Sequence, residues 1–135
     1  MEEKKMGFVF NHQAISSKDL KRSEAFYQDF MGLKKVKDWC GGAEDGSWMI
    51  DFYCDGVSPW MLEVKWTRDY NEEYDHGTIG GDHIAFAHYD VQGCIEQARK
   101  LGYEATDKDE NGNCMITDPD GYLIEVCDAR ALEEE

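Results

Sequence analysis

Gly7-Phe-Val-Phe-Asn-His-Gln-Ala-Ile15 is the segment that decides the fold, because its pattern returns as His83-Ile-Ala-Phe-Ala-His-Tyr89. Each is a short run rich in aromatic, aliphatic and β-branched residues, as a strand requires. Each leads into a helix. Ser16-Ser-Lys-Asp-Leu20 supplies capping groups, Leu20, Ala25, Phe26, Tyr27 and Phe30 form an apolar stripe, and Gly32 ends it. In the second half Asp90 is the cap, Val91, Cys94, Ile95, Ala98 and Leu101 form the stripe, and Gly102 closes it.

Outward from these two segments the remaining strands follow. Leu33 to Lys37, Trp48 to Tyr53 and Trp60 to Trp66 complete the first half, with Gly41 to Gly46 and Asp55 to Pro59 as turns. Tyr103 to Lys108, Asn113 to Thr117 and Tyr122 to Cys127 complete the second, the last two joined by the turn Asp118-Pro-Asp-Gly121. The pattern is βαβββ twice, offset by 71 residues (83 − 12). An internal repeat constrains a fold more than any single element does. The chain therefore reads as one α+β domain over 1–135: a first module at 7–66, a linker at 67–80 and a second module at 81–128. Each helix covers one face of its strands, so the expected architecture is a cupped eight-stranded mixed sheet.

Composition narrows the function. Acidic residues outnumber Lys and Arg by 29 to 14, giving a net charge of −15. Such a field repels nucleic-acid backbones and anionic membrane surfaces, so neither is an expected partner. An anionic substrate would need a locally positive pocket. No stretch has the form of a signal peptide or a spanning helix, which makes the cytoplasm the expected location. Five cysteines with no CxxC pair argue against a disulfide framework, and most are expected to be small buried hydrophobes.

Side chains alternate across a strand, so residues two apart share a face. His12 therefore shares a face with Ala14, and Glu63 with Met61 and Lys65. Leu62, Val64 and Trp66 face the helix. His83 goes with Ala85 and Ala87, and Glu125 with Leu123 and Cys127, against Ile84, Phe86, Ile124 and Val126. Taken singly, a strand histidine is usually a hydrogen-bonded core or rim residue, and a strand glutamate usually faces solvent. Two of each, recurring between apolar neighbours, point elsewhere. Buried carboxylates need compensating charge, and one divalent cation held by His12, Glu63, His83 and Glu125 supplies it. This nitrogen-and-oxygen set suits nickel or cobalt, with two waters completing an octahedron, and zinc is possible. His76 falls in the acidic linker and reads as surface, while His88 has the opposite parity from His83.

Asn11-His-Gln-Ala-Ile-Ser-Ser-Lys-Asp-Leu-Lys-Arg-Ser-Glu-Ala-Phe-Tyr27, Met61-Leu-Glu-Val64, Gly81-Asp-His-Ile-Ala85 and Asp118-Pro-Asp-Gly-Tyr-Leu-Ile-Glu125 together resemble the vicinal oxygen chelate superfamily. They are most similar to its glyoxalase I (lactoylglutathione lyase) branch of the short bacterial type. The resemblance implies the glyoxalase/bleomycin resistance/dihydroxybiphenyl dioxygenase fold, a nickel- or cobalt-activated site on His12, Glu63, His83 and Glu125, and a homodimer whose sites draw on both subunits. It implies isomerisation of a 2-oxoaldehyde–thiol hemithioacetal, methylglyoxal being the usual aldehyde, to a 2-hydroxyacyl thioester through an enediolate. Glu125 is then the first choice of base, with Glu63 serving the opposite face.

Departures from the branch bear on the thiol. Ser16 stands where many glyoxalases have an arginine, and Thr67 where an asparagine is common. The loop Lys108-Asp-Glu-Asn-Gly112 is shortened. The thiol component is therefore left open. From parity, Lys65 is a candidate for a substrate carboxylate, with Arg68 and Met61 as further pocket candidates. The competing readings are a metal-dependent epimerase or isomerase on another enediolate-forming substrate, and a non-catalytic small-molecule binding protein.

Overall fold

A computed structural model of the chain describes residues 7–8, 11–70 and 83–130. His76 and most of the expected linker lie outside the described residues. In the first half, β1 (His12–Ser16) leads into α1 (Leu20–Glu24), which continues as a π-helical segment (Ala25–Phe30). Then come β2 (Lys34–Lys35), a 3₁₀ turn (Lys37–Trp39), β3 (Gly41–Gly42), β4 (Trp48–Cys54) and β5 (Met61–Thr67). The second half holds β6 (His83–His88), α2 (Val91–Lys100), β7 (Cys114–Thr117) and β8 (Leu123–Asp128). This is the expected α+β arrangement of paired βαβββ modules, with eight strands in mixed parallel and antiparallel pairing. Hydrogen bonds divide the strands into two sheets, β1-β5-β4-β2 with β3 on β4, and β6-β8-β7.

Both helices start where the sequence places a carboxylate. Asp19 accepts from the Lys21 amide and Asp90 from the Gly93 amide, each satisfying a donor of the first turn. Gly32 and Gly102 end the helices at φ +79° and +91°, a region costly for residues with a Cβ. The π-helical segment was not foreseen. Its i→i+5 bond, from the Met31 amide to the Phe26 carbonyl, widens the turn. Successive side chains then point closer together, and the adjacent rings of Phe26 and Tyr27 are both fully buried.

Two expectations need correction. Tyr103 to Lys108 is not a strand: only Ala105 bridges to Ile116. The Met115 amide, which a continued ladder would give to the Thr106 carbonyl, is taken at 2.9 Å by the Thr106 hydroxyl, so the pairing ends at one bridge. Gly41–Gly42, expected within a turn, pairs with Ile50 and Met49 of β4. Here glycine is required, since a Cβ on Gly42 would sit 2.7 Å from the Trp48 carbonyl oxygen.

One core runs through both halves. Ile15, Leu62, Val64, Tyr53, Phe26 and Tyr27 bury against Ile84, Ile95, Ile116, Ile124 and Val126. Rings cross between the halves at Phe26–Tyr103 (4.8 Å between centroids) and Trp60–Phe86 (5.3 Å). The Asp118-to-Gly121 turn is a docking point as well as a turn. Asp118 and Asp120 are only 4% and 7% exposed. Asp118 accepts from the Tyr27 phenol, Asp120 accepts from the Lys18 amide, and the Tyr122 phenol accepts from the Ser16 amide. Among the described residues no helix is long and apolar enough to cross a membrane.

Candidate metal centre

Strand register builds two matching half-sites. β1 runs parallel to β5 with Ala14 beside Glu63, and β6 runs parallel to β8 with Ala85 beside Glu125. In both halves the glutamate thus lies beside the residue two past the histidine, on the same face of the sheet. The outcome is the same twice. His12 Nε2 is 3.4 Å from Glu63 Oε1, and His83 Nε2 is 3.5 Å from Glu125 Oε1. The helix-facing positions are filled by Ile15, Leu62 and Val64 in one half and by Ile84, Ile124 and Val126 in the other, all buried. All four polar side chains therefore project from the face opposite the helices.

Exposure grades within each pair. The glutamates are the sheltered members, at 15% and 23% side-chain exposure, and the histidines the open ones, at 40% and 35%. Phe52, in register with Glu63 on β4, meets the His12 ring edge-on at 5.5 Å, and Trp39 packs against Phe52 at 5.7 Å. Asn11 Oδ1 is 2.7 Å from His12 Nδ1. An amide oxygen only accepts, so Nδ1 carries the hydrogen toward Asn11, and Nε2 is the ring nitrogen on the Glu63 side. Metal-binding histidines are commonly fixed by such an outer hydrogen bond.

This donor set fits a divalent cation. Donors about 2.1 Å from one ion and about 90–110° apart stand roughly 3.0–3.4 Å from each other, close to both observed separations. A single chain does not gather all four. Among the described residues, no three His, Cys, Asp or Glu side chains are grouped closely enough to hold a metal ion together. Within one chain the quartet stands as two His–Glu pairs.

The other expected residues fall as follows. Met61 pairs in register with His12 and is partly buried on the open face. Lys65 is two residues beyond Glu63 on that face, half-buried, and makes no ion pair among the described residues. Arg68 is exposed and donates to the Asp45 carbonyl at 2.7 Å, tying the β3–β4 loop to the end of β5. A cavity of about 780 Å³ surrounds the outer edge of β6, lined by Phe30, Trp60, Phe86 and Ile124 among others, and none of the four metal candidates borders it.

Three neighbours of the site were not identified from sequence. Asn11 and Phe52 had usable signals: Asn11 immediately precedes His12, and Phe52 carries the open-face parity within β4. Cys127 has the parity that places it beside Glu125, and only its thiol chemistry lacked a signal: it is half-buried on the open face, its thiol 3.3 Å from Glu125 Oε1. Burial, followed by the nearby Glu125 carboxylate, pushes that thiol up to about 11.

Residues 9–126 match the family described as the Glyoxalase/Bleomycin resistance protein/Dioxygenase superfamily. The chain belongs to this superfamily. Within it, the relatives identify the glyoxalase I branch. The lactoylglutathione lyase of Haemophilus influenzae is 30% identical over 131 residues, covering 90% of this chain and 93% of the relative. The lactoylglutathione lyase of Salmonella typhimurium is 30% identical over 128 residues, covering 88% and 91%. Among solved structures, the trypanothione-dependent glyoxalase I of Leishmania major superposes with a TM-score of 0.78 at 24% identity, covering 95% of this chain and 91% of that one. At that identity the superposition speaks for the glyoxalase fold alone.

Proposed function

We propose that the protein is a metal-dependent glyoxalase I-type isomerase, converting a 2-oxoaldehyde–thiol hemithioacetal to a 2-hydroxyacyl thioester. The observation that carries this reading is the twin His–Glu geometry, the same register and nearly the same separation in both halves. Because each chain offers two pairs, two chains form a homodimer in which His12 and Glu63 of one subunit meet the partner's counterpart of the second pair. The small thiol is the open variable, given Ser16 and Thr67.

His12, Glu63, His83 and Glu125 would hold the cation, nickel or cobalt by preference and zinc as an alternative. When bound, such a cation would supply positive charge that stabilises the enediolate and makes the substrate C–H more acidic. Glu125 takes the proton from C1 and returns it to C2, while the hydroxyl proton passes between the two oxygens, so the reaction is a net isomerisation through an enediolate. Glu63 performs the same transfer on the opposite face. Lys65, which makes no ion pair among the described residues, offers its ammonium to a substrate carboxylate, which a chain of charge −15 otherwise repels. Met61, Phe52 and Trp39 form an apolar wall that limits water around the enediolate.

The test is reconstitution. Metal-free protein is supplied with Ni, Co, Zn or Mn and assayed on methylglyoxal with several thiols of low molecular weight. The expected result is thioester formation with Ni or Co and at least one thiol. Inactivity with every pairing, in protein that binds the metals, would reject the reaction.

A further inference from the structure

Where the two half-sites match, they match closely; where they differ is beside the carboxylate. Glu63 is flanked in register by Ala14 and Phe52, and Glu125 by Ala85 and Met115. None of these four donates a side-chain hydrogen bond. Along its own strand each glutamate has one same-face neighbour two residues on, Lys65 in the first half and Cys127 in the second. Lys65 forms no ion pair with Glu63 among the described residues. Cys127 does reach its glutamate, with Sγ 3.3 Å from Oε1.

Glu125 therefore has two polar contacts among the described residues, His83 Nε2 and the Cys127 thiol, and only the thiol is dedicated to it. We propose that Cys127 is a positioning residue, its S–H donating to Glu125 Oε1 and holding that carboxylate in the orientation that meets the cation together with His83. A carboxylate has about four lone-pair sites, so one weak donor leaves ample capacity for a metal. Hydrogen bonds from outside the ligand set set ligand orientation, and losing one typically costs about 10–100-fold in metal affinity or activity. A thiol is a weak donor, which puts the expected loss here at roughly 3–10-fold. Glu63 has no such thiol donor among the described residues. The two chemically identical carboxylates of the site are thereby made unequal by one residue.

This inference rests on the metal-site reading proposed above, and the experiment separates the two. Co(II) is titrated into metal-free wild type, Cys127→Ala, Cys127→Ser and His83→Ala, with affinity read by calorimetry and coordination by absorption. Thermal melts check that each variant folds. The expected pattern is about 3–10-fold weaker binding in Cys127→Ala and recovery to within about twofold in Cys127→Ser, whose hydroxyl restores a donor. His83→Ala loses far more. Wild-type affinity in Cys127→Ala alongside a large loss in His83→Ala would overturn the positioning role and leave the metal site standing. Equal weakening in the Ala and Ser variants would overturn it in favour of packing. A near-ultraviolet thiolate-to-cobalt band in wild type, absent from both Cys127 variants, would overturn it in favour of direct ligation. Wild-type Co(II) affinity in His83→Ala would overturn the metal-site reading, and the role of Cys127 with it.

Discussion

The phenol of Tyr27 donates to Asp118 Oδ2 across 2.6 Å, inside the core where the two halves meet. Asp118 Oδ1 accepts from the amides of Asp120 and Tyr122, so one buried carboxylate organises its own turn and anchors the opposite helix. Burial pushes the Asp118 carboxyl up, and the Tyr27 phenol and the backbone amides pull the other way without cancelling it. Tyr27→Phe should cost about 1–3 kcal/mol, the usual penalty for stripping a partner from a buried acceptor. The sign with pH follows. A raised folded pKa means that ionised Asp118 disfavours the fold, and the variant raises that pKa further. The deficit is therefore largest at neutral pH and shrinks as acidification protonates Asp118. Urea midpoints of both proteins at pH 7 and pH 4 check this.

Lys35 provides a second linkage. Its ammonium is 13% exposed, pairs with Glu24, and lies 3.4 Å from Asp51. The Lys35 hydrogen bond holds Glu24 below the usual carboxylate range. For Lys35 itself, burial acts to lower the pKa, but Glu24 and Asp51 outweigh it and the net direction is up. The Glu24 contribution is fully present above its unfolded pKa and is lost as pH falls through its depressed folded value. The Lys35 contribution is present below its unfolded pKa and is lost as pH rises through the raised folded one. Lys35→Met should destabilise by about 1–3 kcal/mol at pH 7 and flatten both limbs of the stability–pH curve. Denaturation midpoints at pH 3, 7 and 11 would reveal an unchanged curve if the pairing carried no weight.

The faces of the strands were legible from alternation alone. Ile15, Leu62, Val64, Ile84, Ile124 and Val126 all point to the helices, as the two-residue period requires. Helix starts at Asp19 and Asp90 were legible in kind, since capping is local chemistry. What failed was non-local. Tyr103 to Lys108 has a strand-like composition, yet the Thr106 hydroxyl takes the Met115 amide that a ladder would give to a backbone carbonyl. The π-helical turn depends on where the sheet asks Phe26 and Tyr27 to point. Parity also identified which face His12, Glu63, His83 and Glu125 share, but it carries no information on whether two sheets of one chain bring their open faces together. The thiol of Cys127 escaped notice because composition treats cysteine as a small hydrophobe, whereas its neighbour two residues back makes it a donor.

The glutamates of the site allow a direct kinetic prediction. Both stand on the open face, away from the core, so Glu125→Gln and Glu63→Gln should retain a cooperative melt. Glu125→Gln should lose at least about 100-fold in kcat, as expected when a positioned proton acceptor is replaced by a neutral amide. Glu63→Gln should reduce turnover as well, and comparison of the two identifies the face on which proton transfer dominates. Stopped-flow or steady-state thioester formation in fully metal-loaded protein is the measurement. Turnover within threefold of wild type in Glu125→Gln would remove it from the proton-transfer role.

Two His–Glu pairs in one chain make a prediction that no single variant reaches. In a two-fold dimer whose sites each join the first pair of one subunit to the second pair of the other, His12→Ala disables both sites, and so does His83→Ala. A mixed dimer of the two variants behaves differently. One of its sites combines the two damaged pairs, and the other combines the two intact pairs. Random reassociation of equal amounts gives half mixed dimers with one working site of two, so about a quarter of wild-type activity should return from two inactive proteins. The measurement is activity after subunit exchange under mild denaturant, or after co-expression with two different tags and tandem purification, in which case about half should return. If the four ligands instead close within each chain, every subunit in the mixture carries a broken site and no activity returns at any mixing ratio. Recovered activity that follows the fraction of mixed dimers is the signature of shared sites, and it is independent of which metal or thiol the assay uses.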